Sequence, residues 1–249
     1  MNLSLLKNGH YRHYKTLIFL LFVILLVAGY AWLYSLNSVE KRIRRGEIQF
    51  SHELGWINWG HAKPAGTLEA FNRLQYDNLH SKDSFYFCYS QKMKFKVGSR
   101  SVVAEFTQCR NIRTKLSLQE EQEAFLEIFM GVSEGFEKMQ SRFPYVLMEV
   151  SPGSSFREGD LTGNLLSFYS AAYNVSTDSI HKKLTMLKPE GCALKYDQEG
   201  LGKDLVWNIE AVDKQSDLKE TLNRWVNKTL AGKIPFSRII SQRVVFYFE

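Results

Sequence analysis

A chain of 249 residues with 45% hydrophobic and 14% aromatic side chains has ample material for a packed core, arranged as one large domain or two small ones. Its formal net charge of +6 would suggest a nucleic-acid partner if it covered the folded part. It does not: residues 1–47 hold Lys7, Arg12, Lys15, Lys41, Arg42, Arg44 and Arg45 against Glu40 and Glu47, a net of +5, which leaves +1 for residues 48–249. A balanced domain with its basicity gathered around one apolar segment excludes nucleic acid as the expected partner.

That segment is TLIFLLFVILLVAGYAWLY, Thr16 to Tyr34, without a charged residue. Its roughly 19 residues at ~1.5 Å each nearly match a ~30 Å hydrocarbon core. Tyr30, Trp32 and Tyr34 gather at one end, as aromatic belts do at headgroup level. A cleaved signal peptide is the rival reading, since Lys7, Arg12 and Lys15 form a basic leader. The apolar run is longer than the usual leader core, however, and bulky aromatics stand where a cleavage site needs small residues. The sequence therefore predicts an uncleaved single-pass anchor that meets the lipid bilayer through residues 16–34. No cysteine follows it closely, which excludes a lipoprotein anchor. The expected layout is a short basic tail (1–15), the transmembrane anchor (16–34), a basic stalk (35–50) and an α+β domain (51–249). Flanking charges are nearly tied, but so short a tail is not a domain and long domains translocate largely regardless of charge. The domain is expected outside the cytoplasm, in the cell envelope.

Beyond the stalk, Thr67 reads as the N-cap of a short helix carrying Leu68, Phe71 and Leu74. From Ser84 to Arg110 the period changes to two: FYFCY is an aromatic strand, MKFKV places Met93, Phe95 and Val97 on one face, and SVVAEFTQC alternates through Val102, Ala104 and Phe106. This is an antiparallel meander. Ser117 followed by Glu120 is a capping box. It opens a helix to about Gln140 whose apolar stripe is Leu118, Phe125, Phe129, Val132, Phe136 and Met139. YVLMEV reads as a buried strand, and Ser154 or Ser155 as the cap of a helix with Leu161, Leu165, Phe168 and Ala172 on one face. After a polar break come a strand (LVWNIEAV), a helix capped by Ser216 and a closing strand (QRVVFYF). A cluster of strands followed by mixed helices and strands predicts one mixed α+β domain.

The three cysteines make no disulfide framework. Cys88 and Cys109 flank the expected hairpin and are placed either to pair across it or to remain, with Cys192, as isolated buried thiols. None has the spacing of a zinc or redox motif. His52 and His61 lack a third ligand, so neither a metal nor a cofactor is expected.

The stretch GWINWGHA (55–62) sets Trp56 and Trp59 beside His61, after Gly60. The tryptophans are candidate ligand-binding walls, and an imidazole in such surroundings titrates near neutrality and can act as general base or acid. Packing of both indoles into the core is the competing reading. Asp160, early in its helix, is a candidate orienting group for His61. Gly159 and Gly163 on either side each cost a helix ~1 kcal/mol relative to alanine, which predicts that another backbone approaches there, with His61 as the expected neighbour. A nucleophile is missing: no serine elbow is present, and Cys192 is a weak candidate.

GWINWGHA and DLTGN (160–164) together resemble an uncharacterised bacterial envelope family with a Gly-Trp-Ile-x-x-Gly-His-Ala-like motif and a later Asp-Leu-x-x-Asn helix. More remotely, a histidine motif followed much later by an Asn-bearing helix is similar to circularly permuted papain-like acyltransferases and amidases. That resemblance implies His61 as general base with Asp160 or Asn164 orienting it. The family's cysteine is absent around Thr162, Gly163 and Asn164, so the resemblance also implies lost or altered chemistry. Two functions follow as expectations: a membrane-anchored domain that binds an envelope protein or a small ligand, and, as the alternative, a papain-like hydrolase or acyltransferase.

Overall fold

The computed structural model describes residues 17–26, 39–97, 100–140, 158–201 and 237–248. Within the apolar segment, residues 17–26 form a helix (α1) whose side chains, Phe19 and Leu25 among them, are exposed. No helix among the described residues is long and apolar enough to cross a membrane, and residues 27–34 lie outside the described ones. The strand expected at YVLMEV, the caps at Ser154 and Ser155, the strand LVWNIEAV and the helix after Ser216 also fall outside them.

The folded part begins earlier than residue 51. A short helix at 39–44 (α2) buries Val39 and Ile43 completely. It is followed by a small antiparallel hairpin, β1 (Ile48–Ser51) and β2 (Gly55–Asn58), in the register Ile48↔Asn58 to Ser51↔Gly55. Its turn has a chemical cause. Ser51 Oγ accepts from the Glu53 and Leu54 amides at 3.1 and 3.0 Å, and Gly55 supplies the left-handed φ of 73° that a side chain would resist. Residues 39–50, expected as stalk, are thus part of a packed unit in which Val39, Ile43, Ile48, Trp56 and Cys192 share one small core.

α3 spans Pro64–His80. Its start differs from the expected one: Lys63 is the extended N-cap residue and Pro64 opens the helix, a position where the missing amide costs nothing. Thr67 therefore lies inside the first turns, and its hydroxyl bonds Ser167 Oγ at 2.7 Å instead of capping.

The larger sheet has the order β3–β4–β5, all antiparallel, with β3 (Ser84–Val97), β4 (Arg100–Arg113) and β5 (Ser237–Phe248). The meander is therefore two long strands completed by the closing strand of the chain. Cys88 and Cys109 stand directly opposite in register and form a disulfide, which decides between the two readings of these cysteines.

α4 (Leu118–Gln140) begins at the expected capping box, in which the Ser117 amide donates to Glu120 Oε2 at 2.8 Å. It lies on the sheet face that carries Phe87 and Tyr89. Phe125 is the centre of the core, meeting Phe71, Phe87, Tyr89, Phe129 and Phe168 at ring separations of 5.3, 6.3, 6.1, 5.7 and 5.8 Å. Each such ring contributes about 1.5–3 kcal/mol when fully buried. One buried charge pair, Arg110 with Glu127, joins β4 to α4.

α5 (Glu158–Ala172) closes this core with Leu161, Leu165 and Phe168. It ends where Asn174 takes a left-handed φ of 53° and the Val175 amide reaches back to Ser170 O at 3.1 Å, asparagine serving where glycine is commoner. Two helices fill what the sequence suggested was a polar break: α6 (Thr177–Lys183), capped by Ser176, and α7 (Pro189–Glu199). The domain is mixed α+β with antiparallel sheets, as the pattern predicts.

Candidate functional site

The site lies where the segment after β2 crosses α5. Two backbone bonds, His61 N to Asn58 O at 3.0 Å and Ala62 N to Trp59 O at 3.2 Å, curl residues 58–62 into a tight turn. Asn58 is its hub. Its Oδ1 accepts from Gly60 N at 3.0 Å and from Arg42 Nη2 at 2.8 Å, and its Nδ2 donates to Asp160 Oδ1 at 2.6 Å. A polar chain therefore runs from α2 through the turn to α5. The side chain of Asp160 is 5% exposed, and this bond from Asn58 holds it in the first turn of α5.

His61 Nε2 stands 3.7 Å from Asp160 Oδ1, with about a third of its side chain (35%) exposed. The two groups are a charge pair when the imidazole is protonated, at a separation beyond a direct hydrogen bond. The glycines of α5 make the approach possible. A Cβ on Gly163 would overlap the Asn58 carbonyl oxygen and sit 2.8 Å from His61 Cβ, and one on Gly159 would sit 3.1 Å from the Asn58 amide nitrogen. The residues expected to meet across a hundred positions do so, and the cause is backbone packed on helix.

The other candidates are placed unequally. Asn164 is one turn beyond Asp160 and buried, and its Nδ2 has no hydrogen-bond partner among the described residues. Trp59 packs partly buried against the main core, its indole tilted on His181 at 5.1 Å and its Nε1 buried without a partner among the described residues. Trp56 is 4% exposed, in the small core with its ring edge-on to Phe50 at 5.4 Å. The two indoles thus belong to different cores and do not form one wall.

Cys192 sits on α7. Its thiol lies 3.4 Å from the Phe50 amide and 3.5 Å from Leu187 O, and burial pushes it above the ordinary thiol range. A raised thiol pKa makes it a poor nucleophile, and no contact among the described residues joins it to His61. Among the described residues no three His, Cys, Asp or Glu side chains could hold a metal ion.

Asn58 and Arg42 were not singled out from the sequence. Asn58 lies inside GWINWGHA, but an asparagine ending a strand signals only a turn, and its partner is far away in the chain. A second polar arrangement also escaped notice. Glu53 closes the hairpin against the segment after α6, accepting from Ser51 Oγ at 2.8 Å and from the Thr185 amide at 3.0 Å. Burial alone would raise its carboxyl, but these hydrogen bonds outweigh it and hold the group below the usual carboxylate range.

The arrangement offers an imidazole open to solvent on one side, backed by a carboxylate that the protein itself fixes. That is enough to bind a polar group or to move a proton, and no nucleophile stands beside it among the described residues. No family model, no curated protein and no solved structure matches this chain.

Proposed function

We propose that the protein is a membrane-anchored envelope domain that binds a partner or small polar ligand through His61, with Asp160 standing behind that imidazole. The observation that carries this reading is the 3.7 Å pairing of a partly exposed histidine with a buried, Asn58-held aspartate. A ligand reaches the imidazole from the open side. Its ring nitrogens can donate to an anionic or carbonyl group or accept from a donor.

The location rests on two supports. The uniformly apolar segment 16–34 has the length and aromatic border of a bilayer span. The Cys88–Cys109 disulfide fits the oxidising side of a membrane, where such bonds persist. Protease added to spheroplasts digests the domain on this reading, whereas protection there and cleavage only in inverted vesicles reverses the orientation.

A second reading has its own observation. An imidazole backed by a fixed carboxylate is also the base half of a hydrolase, as the remote papain-like resemblance suggests for His61, Asp160 and Asn164. His61→Ala and Asp160→Ala in the full chain separate the two. For a binding module each weakens capture of the envelope partner at least tenfold while the thermal midpoint stays within a few degrees. Loss of turnover on acyl or peptide substrates in both variants, with capture unchanged, replaces the binding reading by the enzymatic one.

A further inference from the structure

Helix α2 carries a small cationic face that its packing holds in place. Val39 and Ile43 are fully buried, in the core they share with Ile48, Trp56 and Cys192, so the helix is fixed to the domain. At ~100° per residue, Lys41 and Arg45 each lie two positions, roughly 200°, beyond one of those anchors. They therefore look away from the domain, and both are exposed. Four residues apart on one stripe, the two side chains are neighbours.

The other cations of this segment are already committed. Arg42 turns inward to Asn58 and Glu47, and Arg44 is bridged to Glu40. Lys41 makes no ion pair among the described residues. Arg45 stands 3.9 Å from Glu47, at the limit of a pair, with 71% of its side chain open. An anion approaching α2 from outside the domain meets Lys41 and Arg45 first.

Chain length says which anion is within reach. Val39 follows Tyr34, the end of the apolar segment, by five positions, and five residues span at most about 18 Å even when fully extended. With residues 16–34 as the anchor, the reading on which this inference rests, Tyr34 belongs to the aromatic border at headgroup level, and α2 starts directly above it. Each Lys or Arg beside an anionic lipid surface favours association by roughly fivefold. We propose that Lys41 and Arg45 dock the domain on the bilayer by binding the phosphate of an anionic phospholipid headgroup in the leaflet that the domain faces. The argument holds for either orientation of the anchor.

Native mass spectrometry of the full chain in detergent micelles, titrated with phosphatidylglycerol or phosphatidylcholine, reads this directly. The parent should take its first phosphatidylglycerol at least tenfold more tightly than its first phosphatidylcholine. Lys41→Gln combined with Arg45→Gln should erase that preference at an unchanged thermal midpoint, because both side chains are exposed. Lys7→Gln, Arg12→Gln and Lys15→Gln together, on the far side of the apolar segment, should leave it intact. The proposal is overturned if the parent binds the two lipids equally, if the preference survives without Lys41 and Arg45, or if equimolar inorganic phosphate displaces the lipid. Alkaline carbonate extraction of membranes tells its failure from that of the anchor. A parent chain that stays in the pellet yet shows no lipid preference sinks the docking face alone, whereas release into the supernatant removes the anchor and the docking face with it.

Discussion

Helix α4 meets the sheet and helix α5 meets the β1–β2 hairpin through glycine in both cases, yet the two interfaces differ in kind. On α4, a Cβ at Gly131 would come 2.8 Å from Gln108 Oε1, the far end of a flexible side chain. On α5, a Cβ at Gly163 would overlap a main-chain carbonyl. The first interface is packing of side chains around Phe125, in which Gln108 can shift at Gly131 while the Phe106 ring fills the space at Gly135. The second is backbone on helix, with nothing able to yield. The candidate site sits at the unyielding one, which is where a histidine and an aspartate from distant segments are held in fixed relation.

The largest expected effect sharpens the α4 side. Arg110→Leu takes the guanidinium away from the buried Glu127, and breaking such a pair from one side costs about 3–5 kcal/mol. Urea denaturation should show this loss, and adding Glu127→Leu should recover much of it. An unchanged denaturation midpoint in the single variant would mean that the pair is not the polar tie it looks like.

Next in size is the comparison itself. Gly163→Ala should cost ~3 kcal/mol, at the upper end of the overpacking range, because the obstacle is the Asn58 backbone. Gly131→Ala should change stability by less than about 1 kcal/mol, since the helix gains from losing a glycine while Gln108 adjusts. Equal costs in the two variants would erase the distinction between the interfaces.

Asp160→Ala leaves the Asn58 amide buried without its acceptor, a loss of about 1–3 kcal/mol. Asp160→Asn keeps the shape and should cost less, so the gap between them measures the hydrogen bond apart from the volume. A smaller effect is tied to pH. The Glu53 carboxyl is lower in the folded chain than its ordinary value of about 4.3. Its contribution is complete above that value and disappears as pH falls through the folded pKa. Stability curves of the parent and Glu53→Gln should therefore converge as the medium becomes more acid, and parallel curves down to the lowest pH would rule this contribution out.

How much of this was legible depended on how local each signal was. The long strands announced themselves through alternation at Met93, Phe95 and Val97, and α4 through Ser117 and Glu120, because period and cap are written within a few neighbouring residues. The β1–β2 hairpin was not seen: its strands are four residues each, too short for a period, and its turn relies on Ser51, Glu53 and a left-handed Gly55. α6, seven residues long, was hidden for the same reason, and α7 because Cys192 is its one buried residue, which leaves no apolar stripe to read. The proximity of His61 to Asp160 could be reached from the cost of Gly159 and Gly163, a local oddity with a distant cause. The role of Asn58 could not, since nothing near it in sequence reveals that its amide serves a carboxylate on another helix.

The register of the larger sheet also dictates an order of assembly. The β3–β4 hairpin closes between neighbours in sequence, and the fifth pair from its open end is the one joined as Cys88–Cys109. The β4–β5 pairing brings Thr107 against Arg243, more than a hundred residues later, at an extra loop-closure cost of about 1.6 kcal/mol, a little under three doublings of loop length. The hairpin can thus form first and be covalently fixed while the later strand is still absent. Once that bond exists, a one-residue slip that would turn Phe87 and Tyr89 away from α4 is no longer open to the chain. Oxidation of one cysteine pair then acts as a checkpoint: β5 docks onto an edge whose alignment has already been decided.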